Sequence, residues 1–549
     1  MPIAPIPPET ARVAHAVFPK GNRYRRRADE LDPRFPDDAL LALFPTHGQP
    51  ALPPWRRALV TRFQCAEGLA DRQAAEAVRR RLDWPDGRRL ELTAPGVDAS
   101  GRSDCRGRLS AGAAAHLRCD TWLTWCRSRQ LVKARGRQRP DSTHILAAVR
   151  ALNRLEVVGD TMRHALNTLA VVAPAWLRAV SPTEWRDRDV RRAEDDRLPT
   201  THAARAALAL TIGNDGWRLL AAVDHMEAPL WLRESPAVTI LRRVWIHNDL
   251  WAGTQLQGRE TDPIPPAAPC ISSPYDADAH YARTHPTQWV GDQVQLTEPC
   301  EDARPHLITN GDTTIGPEAD GAVTPRSHAA LQQRALLPRT PIVDPGFLDA
   351  ALLVDSQADS RVDLLGPTRL DYHGQARAGA GCDAQHVPID GEHQHATGPA
   401  GKPSLSWTPA VDNRENRGMK VKFSSKDCRR CDPVTQCLRS KKRSPRRTRT
   451  IRPQPQYQAL QTARQREATA AFQAAYARRA GIEGPISRET RSLRLRRTRD
   501  IGLRRVHLGH ILAAVGLKVL RLGEWFLETS RAKTRLTQVA RLMANGTAA

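Results

Sequence analysis

The sequence predicts an α/β fold in which a mixed sheet with a helical insertion follows a helical N-terminal domain. Three observations lead to this class. Apolar residues have helical spacing in residues 54–84 and 116–135 and in most of 160–250. Alternating segments separated by turn residues follow after residue 263. The stretch ALLPRTPIVDPGFLDAALLVDSQADSRVDLLGP then has the strand–helix–strand order of a βαβ unit.

The predicted domains are a helical N-terminal domain over residues 1–135, an α/β domain over 136–530 with a helical insertion at about 145–260, and a basic tail over 531–549. In the first domain, Asp71 is the predicted N-cap of a helix containing Ala74, Ala75 and Val78. Two short helices occur both in DNA-docking modules and in ordinary cores, so both interpretations stay open. Asp141 is predicted to end a basic loop, just before another helical pattern.

Within the α/β domain, strands are predicted in residues 273–298 and 305–314. A further strand is predicted to end at Asp344, before a Pro345–Gly346 turn, a helix and a strand at Val362–Leu365. MKVKFSS is a predicted short strand, and a basic loop is expected over residues 428–450. A long helix is predicted soon after Gln454, and a last helix after Arg505.

The charge distribution predicts a polyanionic partner. The net charge is +24, and residues 414–549 contain 33 Lys and Arg against nine Asp and Glu, whereas the earlier residues balance at 50 against 50. The last quarter therefore carries the whole excess. A basic block of this size is typical of proteins that hold nucleic acid through its phosphates.

The N-terminal residues lack the apolar core of a signal peptide, which predicts a cytoplasmic chain with reduced cysteines. The apolar segment 506–527 contains charged residues and is predicted to be an amphipathic core helix, so no membrane partner is expected. Of the ten cysteines, Cys428, Cys431 and Cys437 form a C-x2-C-x5-C cluster. Three thiolates suggest a structural Zn²⁺ with Cys382 or His395 as a remote fourth ligand, and a reduced loop without a metal is the alternative.

Three carboxylates stand in settings that suit a metal-dependent active site: Asp141 at a junction, Asp344 at a strand end, and Glu483 in a basic stretch. If one helix continues to Glu483, the spacing places Tyr476, Arg479 and Glu483 on one face. Two hard divalent cations held by carboxylates are a common device for phosphodiester cleavage. Each carboxylate taken alone is more often a cap, a turn residue or a surface ion-pair partner.

The stretches around these residues resemble the DDE transposases of bacterial insertion sequences. FPKGNRYRRRADEL and LADRQAAEAVRRRLDW resemble the InsH-like N-terminal domain of that family. ARGRQRPDSTHILAAVRALNRLE and VDPGFLDAALLV resemble the segments with its two aspartates, here Asp141 and Asp344. YARRAGIEGPISRETRSLRLRRTRD resembles its Y-x2-R-x3-E signature, here Tyr476, Arg479 and Glu483, although Pro485 is unusual in that pattern.

The resemblance implies a ribonuclease-H-like catalytic domain in which Asp141, Asp344 and Glu483 hold two Mg²⁺ or Mn²⁺ ions. Water would cleave DNA at the element ends, and the freed 3′-hydroxyl would attack target DNA. Tyr476 and Arg479 would position Glu483 or the DNA. The resemblance also implies a bacterial, nucleoid-associated protein that binds terminal inverted repeats and target DNA, as a homodimer in a synaptic complex.

The basic runs on both sides of Glu483 are the predicted DNA contacts: Arg446, Arg447, Arg449, Arg496, Arg497 and Arg499. Charge runs of this kind are otherwise solvated surface. Two functional alternatives to a transposase stay open at this point. One is a nuclease that uses the same carboxylates without joining strands, and the other is a catalytically eroded relic that only binds DNA.

Overall fold

The structure is a computed structural model. It describes residues 6–19, 60–61, 63–64, 67–81, 84, 91–94, 96–111, 116–189, 192–194, 198–252, 255–258, 266–284, 286–369, 374–379, 381–383, 386–411, 415–432, 434–438, 444–493 and 495–526. The predicted basic tail over 531–549 and most of FPKGNRYRRRADEL lie outside these residues.

The first half of the chain is mainly helical. Its elements are α1 (Pro8–Val17), α2 (Asp71–Arg80), α3 (Ala99–Ala111), α4 (Leu117–Ser128), β1 (Arg137–Leu146), α5 (Arg154–Val172), α6 (Pro174–Val180), α7 (Thr183–Asp189), α8 (His202–Asp224), a 3₁₀ turn (Leu230–Glu234), α9 (Pro236–Asn248), β2 (Asp249–Ala252) and β3 (Gln255–Gly258).

The second half mixes strands and helices. Its elements are β4 (His280–Thr284), β5 (Thr287–Pro299), β6 (Asn310–Ile315), α10 (Asp320–Gln333), β7 (Thr340–Pro341), α11 (Ala350–Ser360), α12 (Gly374–Ala378), β8 (Ile389–Asp390), β9 (His395–Ala396), β10 (Ser404–Val411), β11 (Arg417–Phe423), α13 (Ser425–Arg429), α14 (Val434–Cys437), β12 (Thr448–Ile451), α15 (Gln454–Glu467), α16 (Ala470–Tyr476), a 3₁₀ segment (Ala477–Ile482), α17 (Glu483–Ser492) and α18 (Leu503–Phe526).

The chain divides into two compact units. Unit 1 contains residues 1–133, 142–318 and 483–549, and unit 2 contains residues 134–141 and 319–482. One boundary between the units therefore falls within β1, after Asp141. Another falls between Ile482 and Glu483. The domain limits predicted from the sequence, at 135/136 and 530/531, stay predictions.

Unit 1 contains a group of packed helices between residues 154 and 248. Helices α5, α8 and α9 bury a continuous apolar cluster around Met162, Leu219 and Trp245, each of which has no exposed surface. Asn153 begins α5 with a capping box, because its side chain accepts from the Glu156 amide while the Glu156 carboxylate accepts from the Asn153 amide. The prediction of helices over residues 160–250 is confirmed.

Unit 1 also contains an antiparallel meander in which β4 pairs with β5 and β5 pairs with β6. The second half of β1 lies beside β5. Gly291 makes this approach possible because its φ is +148° and a Cβ there would collide with the Ile145 carbonyl. The strands predicted in residues 273–298 and 305–314 are confirmed.

Unit 2 has its own strands and helices. The first residues of β1 pair in parallel with β7, in the register Arg137 with Thr340. Ile342 forms a single parallel bridge with Leu365, and α11 lies between them in the chain. The predicted strand at Val362–Leu365 is present only as this bridge, and the strand predicted to end at Asp344 ends at Pro341. A second, antiparallel sheet has the order β10-β11-β12. Together these elements confirm a mixed α/β protein.

Several predicted element boundaries are wrong. Asp141 lies inside β1, and Ile145 and Leu146 belong to that strand rather than to a helix, because β1 takes its hydrogen bonds from neighbouring strands. Asp71 is the first residue of α2 rather than its N-cap, which is Ala70. The basic loop expected over residues 428–450 contains α14 and the start of β12.

One helix in the described residues, α18, is long and apolar enough to cross a membrane by length and composition. In the most apolar part of α18, 71% of the residues are buried inside the protein. Its buried Lys518 donates from Nζ to the Cys119 sulfur at 2.6 Å. This burial is that of a core helix, as the sequence predicts, and α18 begins at Leu503.

We expect Gly216→Ala to destabilise unit 1 by about 1–3 kcal/mol, because a Cβ there would collide with the buried indole of Trp245. The indole Nε1 donates to the Gly213 carbonyl at 2.8 Å, which opposes its displacement. Denaturant unfolding measures the change. Gly107→Ala is the control, since open space surrounds Gly107 in α3 and alanine should there stabilise by about 0.5–1 kcal/mol. Equal losses in both variants would contradict this packing.

Candidate active site

The candidate active site in unit 2 begins at β1, where Asp141 follows the buried residues Gln138 and Arg139. The parallel partner strand fixes this part of the backbone, since the Ile342 amide donates to the Gln138 carbonyl at 2.7 Å. The Gln138 side chain donates to the Leu336 carbonyl. Asp141 is therefore presented from a strand whose neighbouring residues are held by hydrogen bonds.

Asp344 lies just beyond β7, where the Val343 amide donates to the Leu365 carbonyl. Its Oδ1 accepts from the amides of Gly346 at 2.8 Å and Phe347 at 3.2 Å. This local turn accounts for one carboxylate oxygen, as an ordinary turn aspartate would. The second oxygen, Oδ2, points instead toward a cation.

That cation is Arg479, which contacts both aspartates. Its Nη2 lies 2.8 Å from Asp141 Oδ1 and 3.2 Å from Asp344 Oδ2. The Arg479 and Asp141 side chains are about 15% exposed and that of Asp344 is 27% exposed, so solvent screens the attraction only in part. One guanidinium nitrogen thus holds together two carboxylates that would otherwise repel each other.

The segment with Arg479 is supported from β1 by Arg139, a buried side chain that donates from Nη1 to the Arg478 carbonyl. A Cβ at Gly481 would collide with the Arg139 guanidinium. Glycine at this position therefore lets the 3₁₀ segment pass over Arg139. Neither contact could be inferred from the sequence, because residues 139 and 481 are far apart along the chain.

Tyr476 lies close to the same charges. Burial raises the pKa of its hydroxyl, Arg479 lowers it, and Asp344 and Asp141 raise it further. Its ring stacks on Phe472, with centroids 5.6 Å apart and an interplanar angle of 8°. The neutral hydroxyl is thus a hydrogen-bonding group beside the aspartates. It brings no negative charge to them at neutral pH.

Glu483 is exposed and is the first residue of α17. No single helix runs from Tyr476 to Glu483, because α16 ends at Tyr476 and the 3₁₀ segment separates it from α17. The condition under which the spacing places Tyr476, Arg479 and Glu483 on one helix face is therefore not met. Pro485 therefore falls in the first turn of a new helix, where a missing backbone N–H costs little. Glu483 belongs to unit 1, so its grouping with Asp141 and Asp344 stays a prediction.

Sequence reasoning missed one carboxylate, Asp320, the first residue of α10. A Cβ built at Gly346 would lie 3.0 Å from Asp320 Oδ2 and 3.0 Å from Asp344 Oδ1, so both carboxylates border the same glycine. An acidic residue in the first turn of a helix is usually explained by the helix dipole. No spacing in the sequence links Asp320 to Asp344, whereas the fold places them side by side.

The residues present are suited to Mg²⁺ or Mn²⁺. Aspartate oxygens are the hard ligands that these ions prefer, and Arg479 shows that Asp141 and Asp344 can share one positive charge. The Nε of Arg479 is buried and, among the described residues, has no hydrogen-bond partner. Arg479 thus uses only part of its hydrogen-bonding capacity in its contacts with the two carboxylates. Within the described residues, no three His, Cys, Asp or Glu side chains already have the geometry of a metal site.

The predicted DNA contacts differ in exposure. Arg446, Arg496, Arg497 and Arg499 are exposed and Arg449 is half-buried. Arg447 is only 4% exposed, and its guanidinium contacts the Cys437 sulfur and the carbonyls of Cys382 and Asp383. The prediction that Arg447 contacts DNA is therefore wrong, because its charged end is engaged inside unit 2.

Two protein-family models, both described as transposase domains, match separate parts of the chain. Residues 12–108 match the model described as transposase domain (DUF772), and residues 397–522 match the transposase DDE domain model. The two matches support an insertion-sequence DDE transposase, and the resemblance noted in the sequence is confirmed. The second match includes Tyr476, Arg479 and Glu483. No curated protein and no solved structure matches the chain.

We expect Gly481→Ala to lower the stability of unit 2 by about 1–3 kcal/mol, because the added methyl group must displace the buried Arg139 guanidinium. Denaturant unfolding followed by circular dichroism measures the effect. Gly484→Ala is the matched control, since nothing lies within 4 Å of a Cβ at that position. Full stability of Gly481→Ala would show that Arg139 does not pack under the 3₁₀ segment.

Proposed function

We propose that the chain is a DNA transposase that cleaves DNA at the ends of an insertion-sequence element and joins the freed strands to target DNA. The observation that carries the proposal is the contact of Arg479 with both Asp141 and Asp344. This contact brings the two sequence segments that contain the aspartates next to Arg479, the arginine of the tyrosine–arginine–glutamate signature. The family models indicate DNA transposition in general, and the finer chemistry is our inference.

Asp141 and Asp344 would hold Mg²⁺ or Mn²⁺, with Glu483 as the third carboxylate ligand implied by the signature. When bound, these ions supply activation of the attacking oxygen and stabilisation of the leaving oxygen. The residues of the chain do the positioning. Asp344 directs Oδ2 into the site because its Oδ1 is held by two backbone amides, and Asp141 is held in a paired strand.

Arg479 has two roles in this proposal. Without an ion it neutralises part of the repulsion between the aspartates, which preserves the geometry of the site. With an ion and DNA bound, the guanidinium is free to turn toward a phosphate oxygen, for which its planar fork is well suited. The Tyr476 hydroxyl would hydrogen-bond to the DNA backbone or to a carboxylate from its place beside the aspartates.

DNA would be held by exposed arginines that follow α17, chiefly Arg496, Arg497 and Arg499. Phosphate contacts of this kind position the duplex without reading its sequence. Recognition of the terminal inverted repeats is assigned to the N-terminal residues matched by the transposase domain model. A ribonuclease-H-like catalytic fold, a homodimer in the synaptic complex and a nucleoid location in the bacterial cytoplasm belong to the same proposal.

We expect Asp141→Asn, Asp344→Asn and Glu483→Gln each to lower Mg²⁺- or Mn²⁺-dependent strand cleavage by more than about 100-fold, because each removes a metal ligand. The assay uses labelled DNA that contains the inverted repeats bracketing the reading frame. Asp359→Asn, an exposed residue on α11, is the control and should cleave normally.

Each outcome separates the proposal from its alternatives. Metal-dependent cleavage by wild type without strand transfer would favour a nuclease, and DNA binding without cleavage would favour a relic. Undiminished cleavage by Glu483→Gln would remove Glu483 from the metal ligands even if both aspartates are required.

We expect the double variant Arg497→Ala/Arg499→Ala to bind DNA with a weaker salt dependence than wild type. The slope of log K against log salt should shrink by about 0.9 for each lost phosphate contact. Fluorescence anisotropy over a salt series measures it. Arg218→Ala on α8 is the control, because that side chain is 72% exposed but lies far from the basic runs in the sequence. An unchanged slope in the double variant would show that Arg497 and Arg499 do not contact DNA phosphates.

A further inference from the structure

Lys518 lies in the core of unit 1 without the partner that a buried ammonium group usually has. Its side chain has no exposed surface. Among the described residues, its Nζ forms no ion pair with a carboxylate and contacts the sulfur of Cys119, which is itself only 2% exposed. A charged amine is costly to bury unless an anion compensates it. The amine of Lys518 and the thiol of Cys119 are therefore each other's chemical partners.

The nitrogen and the sulfur are closer than an ordinary hydrogen bond requires. Lys518 Nζ lies 2.6 Å from Cys119 Sγ. Donor and acceptor atoms of N–H···O hydrogen bonds are about 2.7–3.2 Å apart. Sulfur is a larger atom than oxygen, so that N–H···S contacts are ordinarily longer still. One oxygen atom bonded to both the nitrogen and the sulfur would hold them at about the observed separation.

Cys126 is a second sulfur near the same amine. Burial raises the pKa of its thiol to about 12, and Lys518 offsets this only in part. Cys126 therefore stays a neutral thiol at neutral pH, and thiols in that form react slowly. Cys119 and Cys126 are seven residues apart in α4. A rise of about 1.5 Å per residue separates their Cα atoms by about 10 Å, which is beyond the limit of about 7 Å for a disulfide.

The contact joins two segments that are far apart in the chain. Cys119 lies in α4 and Lys518 in α18, and these helices pack against each other within unit 1. The two residues are 399 positions apart. Crosslinks that close long loops restrict the unfolded chain most strongly. A covalent bond at this contact would therefore hold α4 on α18.

We propose that oxidation joins Lys518 Nζ and Cys119 Sγ through one oxygen atom, as a lysine–cysteine N–O–S crosslink. Molecular oxygen is the oxidant. One of its atoms bridges the nitrogen and the sulfur, and the other leaves as water with the thiol hydrogen and one hydrogen of the neutral amine. The nitrogen and the sulfur each lose two electrons, and O₂ gains four. Burial does not exclude this oxidant, because small apolar molecules enter closed protein interiors.

Reduction reverses the crosslink, which makes it a redox switch. Two equivalents of a dithiol give back the free thiol, the free amine and one water, and each dithiol becomes a disulfide. A reducing compartment would keep the pair open, and exposure to oxidant would close it. The switch would act on the packing of α4 against α18. This proposal does not depend on catalysis at Asp141 and Asp344.

The test uses the purified full-length chain in oxygen-saturated buffer, followed by denaturation, alkylation with iodoacetamide and digestion. Mass spectrometry should find the peptides with Cys119 and Lys518 joined, at about 14 Da above their summed masses, since one oxygen is gained and two hydrogens are lost. Dithiothreitol added before alkylation should separate the two peptides and leave Cys119 free to react. This measurement on wild type needs no variant, so it still decides the question if a core substitution prevents folding.

Variants identify the two linked atoms. Cys119→Ala and Lys518→Met should each abolish the joined peptides, and methionine keeps an unbranched side chain in the core. Cys270→Ser, at a half-buried cysteine elsewhere in unit 1, is the control and should retain them.

Four results would overturn the proposal. The first is a fully alkylated Cys119 peptide after oxygen exposure without reductant, and the second is a joined mass that dithiothreitol does not change. The third is a joined mass about 2 Da below the sum, which would show a direct N–S bond, and the fourth is a single Cys119 peptide heavier by about 16 Da, which would show a sulfenic acid alone.

Discussion

The contact of Arg479 with two aspartates is the interaction on which the candidate site depends. Two carboxylates brought together in a half-buried place repel each other, and that repulsion grows as water is excluded. The guanidinium offsets it by contacting Asp141 and Asp344 through one nitrogen. The strands and turns that carry these aspartates can therefore pack closely. In the proposed function, a divalent cation would offset the same repulsion.

The position of Asp141 inside a strand could not be predicted from the sequence. The segment RQRPDSTHIL contains arginines, a proline and an aspartate, so neither alternation nor strand propensity marks it as β1. The apolar residues that follow it have helical spacing, which led to the wrong prediction of a helix. Pairing with β7 and the position beside β5 decide the outcome. Such pairing is a property of the fold, and local composition does not reveal it.

Other parts of the site follow from local chemistry and could be predicted. Asp344 precedes a Pro345–Gly346 turn, and the structure has that turn, closed by the aspartate's own side chain. The family resemblance, rather than the spacing, linked Tyr476 and Arg479 with the aspartates, and both side chains lie near them although the backbone there is not one helix. Pro485 lies in the first turn of α17, where a proline does not interrupt the helix. Asp320 could not be predicted, because only the fold brings it beside Gly346.

The arginines of the basic block illustrate a further limit. Arg446 and Arg447 are neighbours in one charge run, yet the first is exposed and the second is buried against sulfur. Both residues lie just before β12, and neighbouring side chains along an extended chain face opposite sides. A count of charges therefore overestimates the surface available to DNA. It also does not reveal that one of these positive charges lies inside unit 2, where the Arg447 guanidinium contacts the Cys437 sulfur and the carbonyls of Cys382 and Asp383.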